Sequence, residues 1–218
     1  IDGDENGEVV LSENTYNELG QLAIKKIHNQ GNTGFMQTLD YAYNIRGWMT
    51  RLNDPSAMGD DLFAMKLLYN NPNELNIAVP GGNVFDPIAQ YNGNISGMIW
   101  NTPVDNQGTM KKRAYSFFYD KLSRFVRSRY AEGSSLNQNV GYYDMGIYGT
   151  TPAANDGYDY NGNIRYLKRF NNSSSAMTDN LNYTYIGNRL TNIRDLADRA
   201  NGFKDDITEP SNSLQVEY

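Results

Sequence analysis

The sequence has no cysteine in its 218 residues. Disulfides, thiolate metal ligands and a cysteine nucleophile are therefore excluded. It has one histidine, His28, which rules out a metal centre built from several histidines. A Ser-His-Asp triad would have to hang on that one residue, in a returning strand. No stretch approaches the roughly 18 consecutive apolar residues of a membrane-crossing helix. Ile1-Asp2-Gly3-Asp4 has neither the charged nor the apolar region of a leader, and the reading is that the natural start has been lost. Basic residues are outnumbered, 19 against 25 acidic, for a net charge of -6 and a pI near 4.8. That balance argues against a nucleic-acid partner, which needs a basic field. The run Lys111-Lys112-Arg113, with Lys121, Arg124, Arg127 and Arg129, is local and reads as the polar face of a hairpin. Proline is scarce, at 7, so strands are rarely interrupted.

Aromatic and turn-forming residues are plentiful. There are 17 Tyr, 8 Phe and 2 Trp, although mean hydropathy is only -0.67. Disordered chains are poor in aromatics. The combination suits sheets whose aromatic bodies pack while their polar tips stay wet. Asparagine, 29 residues, matches a chain full of turns.

Gly157-Tyr158-Asp159-Tyr160-Asn161-Gly162-Asn163-Ile164-Arg165-Tyr166-Leu167-Lys168-Arg169 reads as strand, tight turn, strand. Residues alternate on both sides of an Asn-Gly signal. The same sentence recurs as Tyr at i, Gly at i+4 and an apolar residue at i+6. Tyr16, Gly20 and Leu22 fit it, as do Tyr43, Gly47 and Met49, and Tyr158, Gly162 and Ile164. Tyr119 and Phe125 fit with Ser123 in the glycine slot. Gly93 and Ile95 fit with Ala89 in the tyrosine slot. Tyr183 and Gly187 fit with Leu190 one place late. A local motif at irregular spacing points to one supersecondary unit with variable connections, whose copies share a sheet because a lone hairpin cannot bury a face.

Thr15-Tyr16-Asn17-Glu18-Leu19-Gly20-Gln21-Leu22, Phe118-Tyr119-Asp120-Lys121-Leu122-Ser123-Arg124-Phe125 and Tyr158-Asp159-Tyr160-Asn161-Gly162-Asn163-Ile164 resemble the YD repeat of the RHS (rearrangement hot spot) family. The resemblance runs from about Tyr16 to about Ile193. Asn17, Asn44 and Thr184 replace the family's Asp, and Ala89 and Ser123 replace its Tyr and Gly. The resemblance implies a long β-sheet spiralling into a hollow shell, within large bacterial surface or secreted proteins, some of which enclose a toxic C-terminal domain. It supplies no catalytic residues.

The expected fold is all-β: consecutive antiparallel β-hairpins forming a curved, twisted sheet, a segment of a spiral β-shell. It is read as a single array over 1–218, truncated at both ends, with hairpins near 14–29, 39–52, 88–99, 113–130, 157–169 and 181–195. Asp61–Tyr69 alternates and reads as a strand. Asn70–Pro87 reads as a long loop, and 131–156 as a loop with at most a short strand. Ser213–Tyr218 reads as the incoming strand of a further repeat, and exposed edges would invite self-association.

Several residues could carry chemistry. Asp2-Gly3-Asp4-Glu5-Asn6-Gly7 with Glu13 matches the EF-hand loop formula, but no helix flanks it, and an acidic turn is the simpler reading, with no metal expected. Asp60-Asp61 and Asp205-Asp206 could be acid-base pairs, yet strand neighbours face opposite sides. Trp48 and Trp100 are candidate sugar platforms, although aromatics in a repeated slot are more often core. Asn94, Asn172 and Asn182 open formal glycosylation sequons. The expected role is structural, a scaffold or shell segment of an extracellular or cell-surface bacterial protein. Its partners would be other repeats of the same protein, with no cofactor and no membrane insertion. The alternative is a binding module for carbohydrate or another surface ligand, and behind it a hydrolase with carboxylates converging from different hairpins.

Overall fold

The structure, a computed structural model, describes residues 10–29, 31, 34–75, 77, 87–103, 111–151, 156–197 and 202–203. Among the described residues there are twelve strands: β1 (Ser12–Tyr16), β2 (Leu22–Asn29), β3 (Phe35–Tyr43), β4 (Met49–Leu52), β5 (Ala64–Leu68), β6 (Gly97–Asn101), β7 (Arg113–Tyr119), β8 (Phe125–Glu132), β9 (Met145–Gly146), β10 (Tyr166–Phe170), β11 (Met177–Ile186) and β12 (Arg189–Asp195). Their order in the sheet is their order in the chain, and the registered pairs are antiparallel. The all-β expectation of consecutive antiparallel strands is met.

The chain divides into two compact units, with the boundary inside β7: residues 1–75 with 89–114, and 76–88 with 115–218. In the first, Met58, Ala64, Leu68, Leu75 and Ile99 are buried. Alternation puts Ala64, Leu68 and Ile99 there, since β5 is buried at both ends and half-open between, and β6 buries its odd positions and leaves the intervening ones half-open, while Met58 and Leu75 come from the connections. In the second, Phe118, Tyr130, Ala131, Leu136, Ile147 and Leu181 form the core. Each large side chain withdrawn from water contributes about 1.5–3 kcal/mol before the entropy of ordering is subtracted.

The hairpins expected near 14–29, 39–52, 113–130 and 181–195 are present, with incoming strands starting at Ser12, Phe35, Arg113 and Met177. The strand expected at 61–69 is β5. Two expectations are corrected. No hairpin occupies 88–99: residues 87–96 are not strand, and β6 pairs with β5 instead. Ala89 has no side chain able to anchor an incoming arm, and the true incoming arm lies before the long connection.

The hairpin at 157–169 is also reduced. Its incoming arm amounts to a single bridge, Tyr158 to Ile164, and β10 is flanked by β9 and β11. The approach to it is clasped by Asp156, whose Oδ1 accepts from the Gly149 amide at 2.7 Å. Gly157 lies so close to Ile147 that a Cβ there would sit 1.9 Å from the Ile147 carbonyl oxygen. A chain pressed that tightly on its neighbour bends away from the ladder.

Residues 1–7 of the EF-hand-like segment, Asp205-Asp206 and Ser213–Tyr218 lie outside the described residues.

Candidate functional site

The repeated tyrosine, the turn after it and the apolar residue that closes the turn form one recurring unit. The residue after the tyrosine organises the turn. In Asn17, Asn44, Asp120 and Asp159, the side-chain Oδ1 accepts two backbone amides, from the residues two and four places on, at 2.8–3.1 Å. The same residue donates its own amide to the carbonyl four places on and accepts the amide of the glycine slot. Local acceptors of this kind are why Asn and Asp favour turns. Asparagine in place of aspartate therefore leaves the turn intact.

The glycine slot has positive φ in these four copies, Gly20 +73°, Gly47 +78°, Gly162 +88° and, in the copy without glycine, Ser123 +62°, and also in the copy that contains Gly93, at +99°. At Gly20 and Gly162 a Cβ would meet nothing within 4 Å. The requirement there is for the backbone dihedral, not for space. A register shift precedes the tyrosine at Thr15/Tyr16, Ala42/Tyr43 and Thr184/Tyr185, so that Tyr16 faces Leu22, Tyr43 faces Met49 and Tyr185 faces Leu190. Such bulges re-aim a side chain.

Tyr43, Tyr69, Tyr158 and Tyr185 are aimed at the previous copy. Tyr43 Oη donates to the Leu22 carbonyl at 2.9 Å, and Tyr69 Oη to the Met49 carbonyl at 2.9 Å. In the second unit Tyr158 Oη donates to the Phe125 carbonyl at 2.6 Å, and Tyr185 Oη to the Ile164 carbonyl at 2.7 Å. Each acceptor is the closing apolar residue of the preceding turn. The hydroxyl is a staple from hairpin to hairpin, with a net contribution of about 1 kcal/mol apiece.

Two staple residues differ from the sequence reading. Tyr69, not Ala89, serves the copy that contains Gly93 and Ile95. The Tyr69-Asn70 dipeptide repeats Tyr16-Asn17 and Tyr43-Asn44, and is the signal the sequence holds for it. A long connection separates it from Asn92, whose Oδ1 accepts the Asn94 amide at 3.0 Å. In the last hairpin Tyr185, not Tyr183, makes the staple, because the turn there has only two residues, Gly187 and Asn188, between paired Ile186 and Arg189.

The other candidates do not converge. Trp48 is half-buried, 5.1 Å from the Tyr69 ring, with the Arg46 guanidinium 5.1 Å over its own ring. A Cβ on Gly93 would lie 3.3 Å from it. Trp100, in β6, is paired with Met65 of β5. His28 is exposed at positive φ and donates its amide to the Leu11 carbonyl. Asp60 and Asp61 lie at a turn, with burial first and then Asp40 and Asp60 raising the Asp61 carboxyl. Asn94 follows a bend, Asn172 lies in a bend and Asn182 in β11.

The basic residues of β8 are spent locally. Arg127 lies over the Phe118 ring at 4.3 Å, and Arg129 pairs with Asp144 at 3.0 Å. Burial pushes the Asp144 carboxyl up, against the Tyr130 amide and Arg129. Burial, then Asp144 and Tyr143, push Tyr115 up to about 12, which keeps that phenol neutral and suited to donating to the Tyr143 carbonyl. Among the described residues no group of three or more His, Asp or Glu could hold a metal, and no helix is long and apolar enough to cross a membrane.

No known family profile and no curated protein matches the sequence. Among solved structures the chain is similar to a chain of a mutant Tc holotoxin pore from Photorhabdus luminescens, at 9% identity and a TM-score of 0.19. The match covers 84% of this chain and spans 13% of that one.

Proposed function

We propose that this chain is a scaffold segment of a bacterial RHS/YD-repeat protein of the surface or secreted kind, a length of wall whose partners are further repeats of the same protein. The observation that supports this reading is the staple: in four places a tyrosine hydroxyl of one copy is bonded to the closing carbonyl of the copy before it. Such a device stabilises stacking whatever the connections contain, as a wall of variable loops requires. Carbohydrate binding on Trp48 and Trp100 has less support, since Trp48 is committed to Tyr69 and Arg46. A hydrolase would need carboxylates facing a common space, whereas Asp144 and Asp179 are buried and each is ion-paired, to Arg129 and Arg169.

The test is protease protection in the longest natural chain that carries this sequence. A wall shields polypeptide that is cut only after unfolding, and the protection should weaken when Tyr43→Phe and Tyr69→Phe are combined. If the remainder is digested equally fast with the repeats folded or unfolded, the wall reading fails.

A further inference from the structure

The first unit holds a cleft of about 400 Å³, within the size range of small-molecule sites. Its base is one transverse row of the sheet: Ala42 faces Arg51, Arg51 faces Lys66, and Lys66 faces Ile99. Residues paired across antiparallel strands project from the same face. Arg51 and Lys66 therefore stand side by side, a placement in which like charges repel. Lys112 lines the same cleft. Three cations gather here in a chain whose net charge is -6.

Two acids line it as well. Asp54 reaches Arg51 at 3.5 Å, and Glu74 pairs with Lys66. Both pairs are open to water, with the Glu74 side chain 53% exposed. Exposed pairs of this kind are weak and readily exchanged. Ile99, 2% exposed, closes the floor with an apolar surface.

We propose that this cleft binds a small anion carrying a carboxylate or a phosphate group, held by Arg51, Lys66 and Lys112. Glu74 occupies Lys66 until the ligand displaces it into solvent. The cations stand on or beside paired strands, so the site is largely set before the ligand arrives.

The experiment is calorimetric titration of the intact chain near neutral pH with galacturonate and, separately, inorganic phosphate, with galactose as the uncharged control. Saturable binding of either anion, and none of galactose, is expected. Binding of one anion alone identifies which group the site takes. Affinity should fall about tenfold in Lys66→Met, and by less in Lys112→Gln, as charge-assisted contacts are lost. It should rise in Glu74→Gln, because the internal competitor is gone. Lys112→Gln and Glu74→Gln lie outside the strands, so they test the site without touching the ladder. The proposal is overturned if neither anion binds, if binding is unchanged in Lys66→Met and Lys112→Gln, or if Glu74→Gln fails to tighten it.

Discussion

The turns at Asn17–Gln21 and Asp120–Arg124 have the same backbone and different chemistry. Both place an oxygen where two amides converge, with bonds of 2.8–3.0 Å. They differ in the second side-chain atom. Asp120 Oδ2 accepts Arg124 Nε at 2.7 Å, and Asp159 Oδ2 likewise accepts Asn163 Nδ2 at 2.8 Å. Asn17 has an amino group there and donates to Gln21 Oε1 at 2.9 Å. The residue four places on matches the organiser, a donor after Asp and an acceptor after Asn17. The turn thus requires an acceptor, not a charge. The charge adds a second bond and a dependence on pH.

The largest effect should come from the slot both kinds of turn share. Gly162→Val forces a β-branched residue to φ +88° and should cost about 2 kcal/mol, read as a lower urea midpoint. An unchanged midpoint would mean the dihedral is not required. Asp120→Asn keeps the oxygen that receives both amides but loses the ion pair to Arg124, a loss of about 1 kcal/mol. If it costs nothing, the charged turn is no stronger than the neutral one. Ser123→Gly relieves a non-glycine residue at φ +62° and should stabilise by up to about 1 kcal/mol, the gain being reduced by the extra freedom of the unfolded chain.

The pH dependence separates the two kinds of turn. At Asp120, burial raises the carboxyl, but the bonds from Arg124 and Leu122 outweigh it and hold the group below its usual range. At Asp159, the side-chain bond from Asn163 leads, and backbone bonds from Asn163, Asn161 and Gly162 add to it. A carboxyl whose folded pKa is depressed contributes stability above its unfolded value, near 3.8, and loses it as pH falls through the folded value. Protection of the Arg124 and Asn163 amides against hydrogen exchange should therefore fall below about pH 4, while that of the Gln21 and Trp48 amides should not. Equal loss at all four would assign the effect to global unfolding.

Much of this is legible in the sequence, because it resides in local chemistry. Tyr16, Gly20 and Leu22, or Tyr43, Gly47 and Met49, specify their turn and bulge within seven residues. The all-β class follows from their recurrence. What the sequence hides are non-local contacts. Tyr69 escapes the pattern because a long connection separates it from Asn92 and Gly93, and a motif at fixed spacing cannot bridge an insertion. Tyr183 fits the spacing better than Tyr185 because the shorter turn shifts the register. The incoming arm at Tyr158 looks longer in the sequence than it is, because the approach of Gly157 to Ile147 is tertiary. The row formed by Arg51 and Lys66 depends on the pairing of β4 with β5, which no local pattern reveals.

The most direct measurement is urea unfolding of five single variants, Tyr43→Phe, Tyr69→Phe, Tyr158→Phe, Tyr185→Phe and, as reference, Tyr16→Phe, whose residue is 59% exposed. If tyrosine hydroxyls staple each copy to the one before, the first four should each lose about 1 kcal/mol through an orphaned carbonyl and a missing donor, while the reference changes little. Five equal values, or a loss confined to Tyr16→Phe, would contradict the staple and with it the physical basis of the repeat.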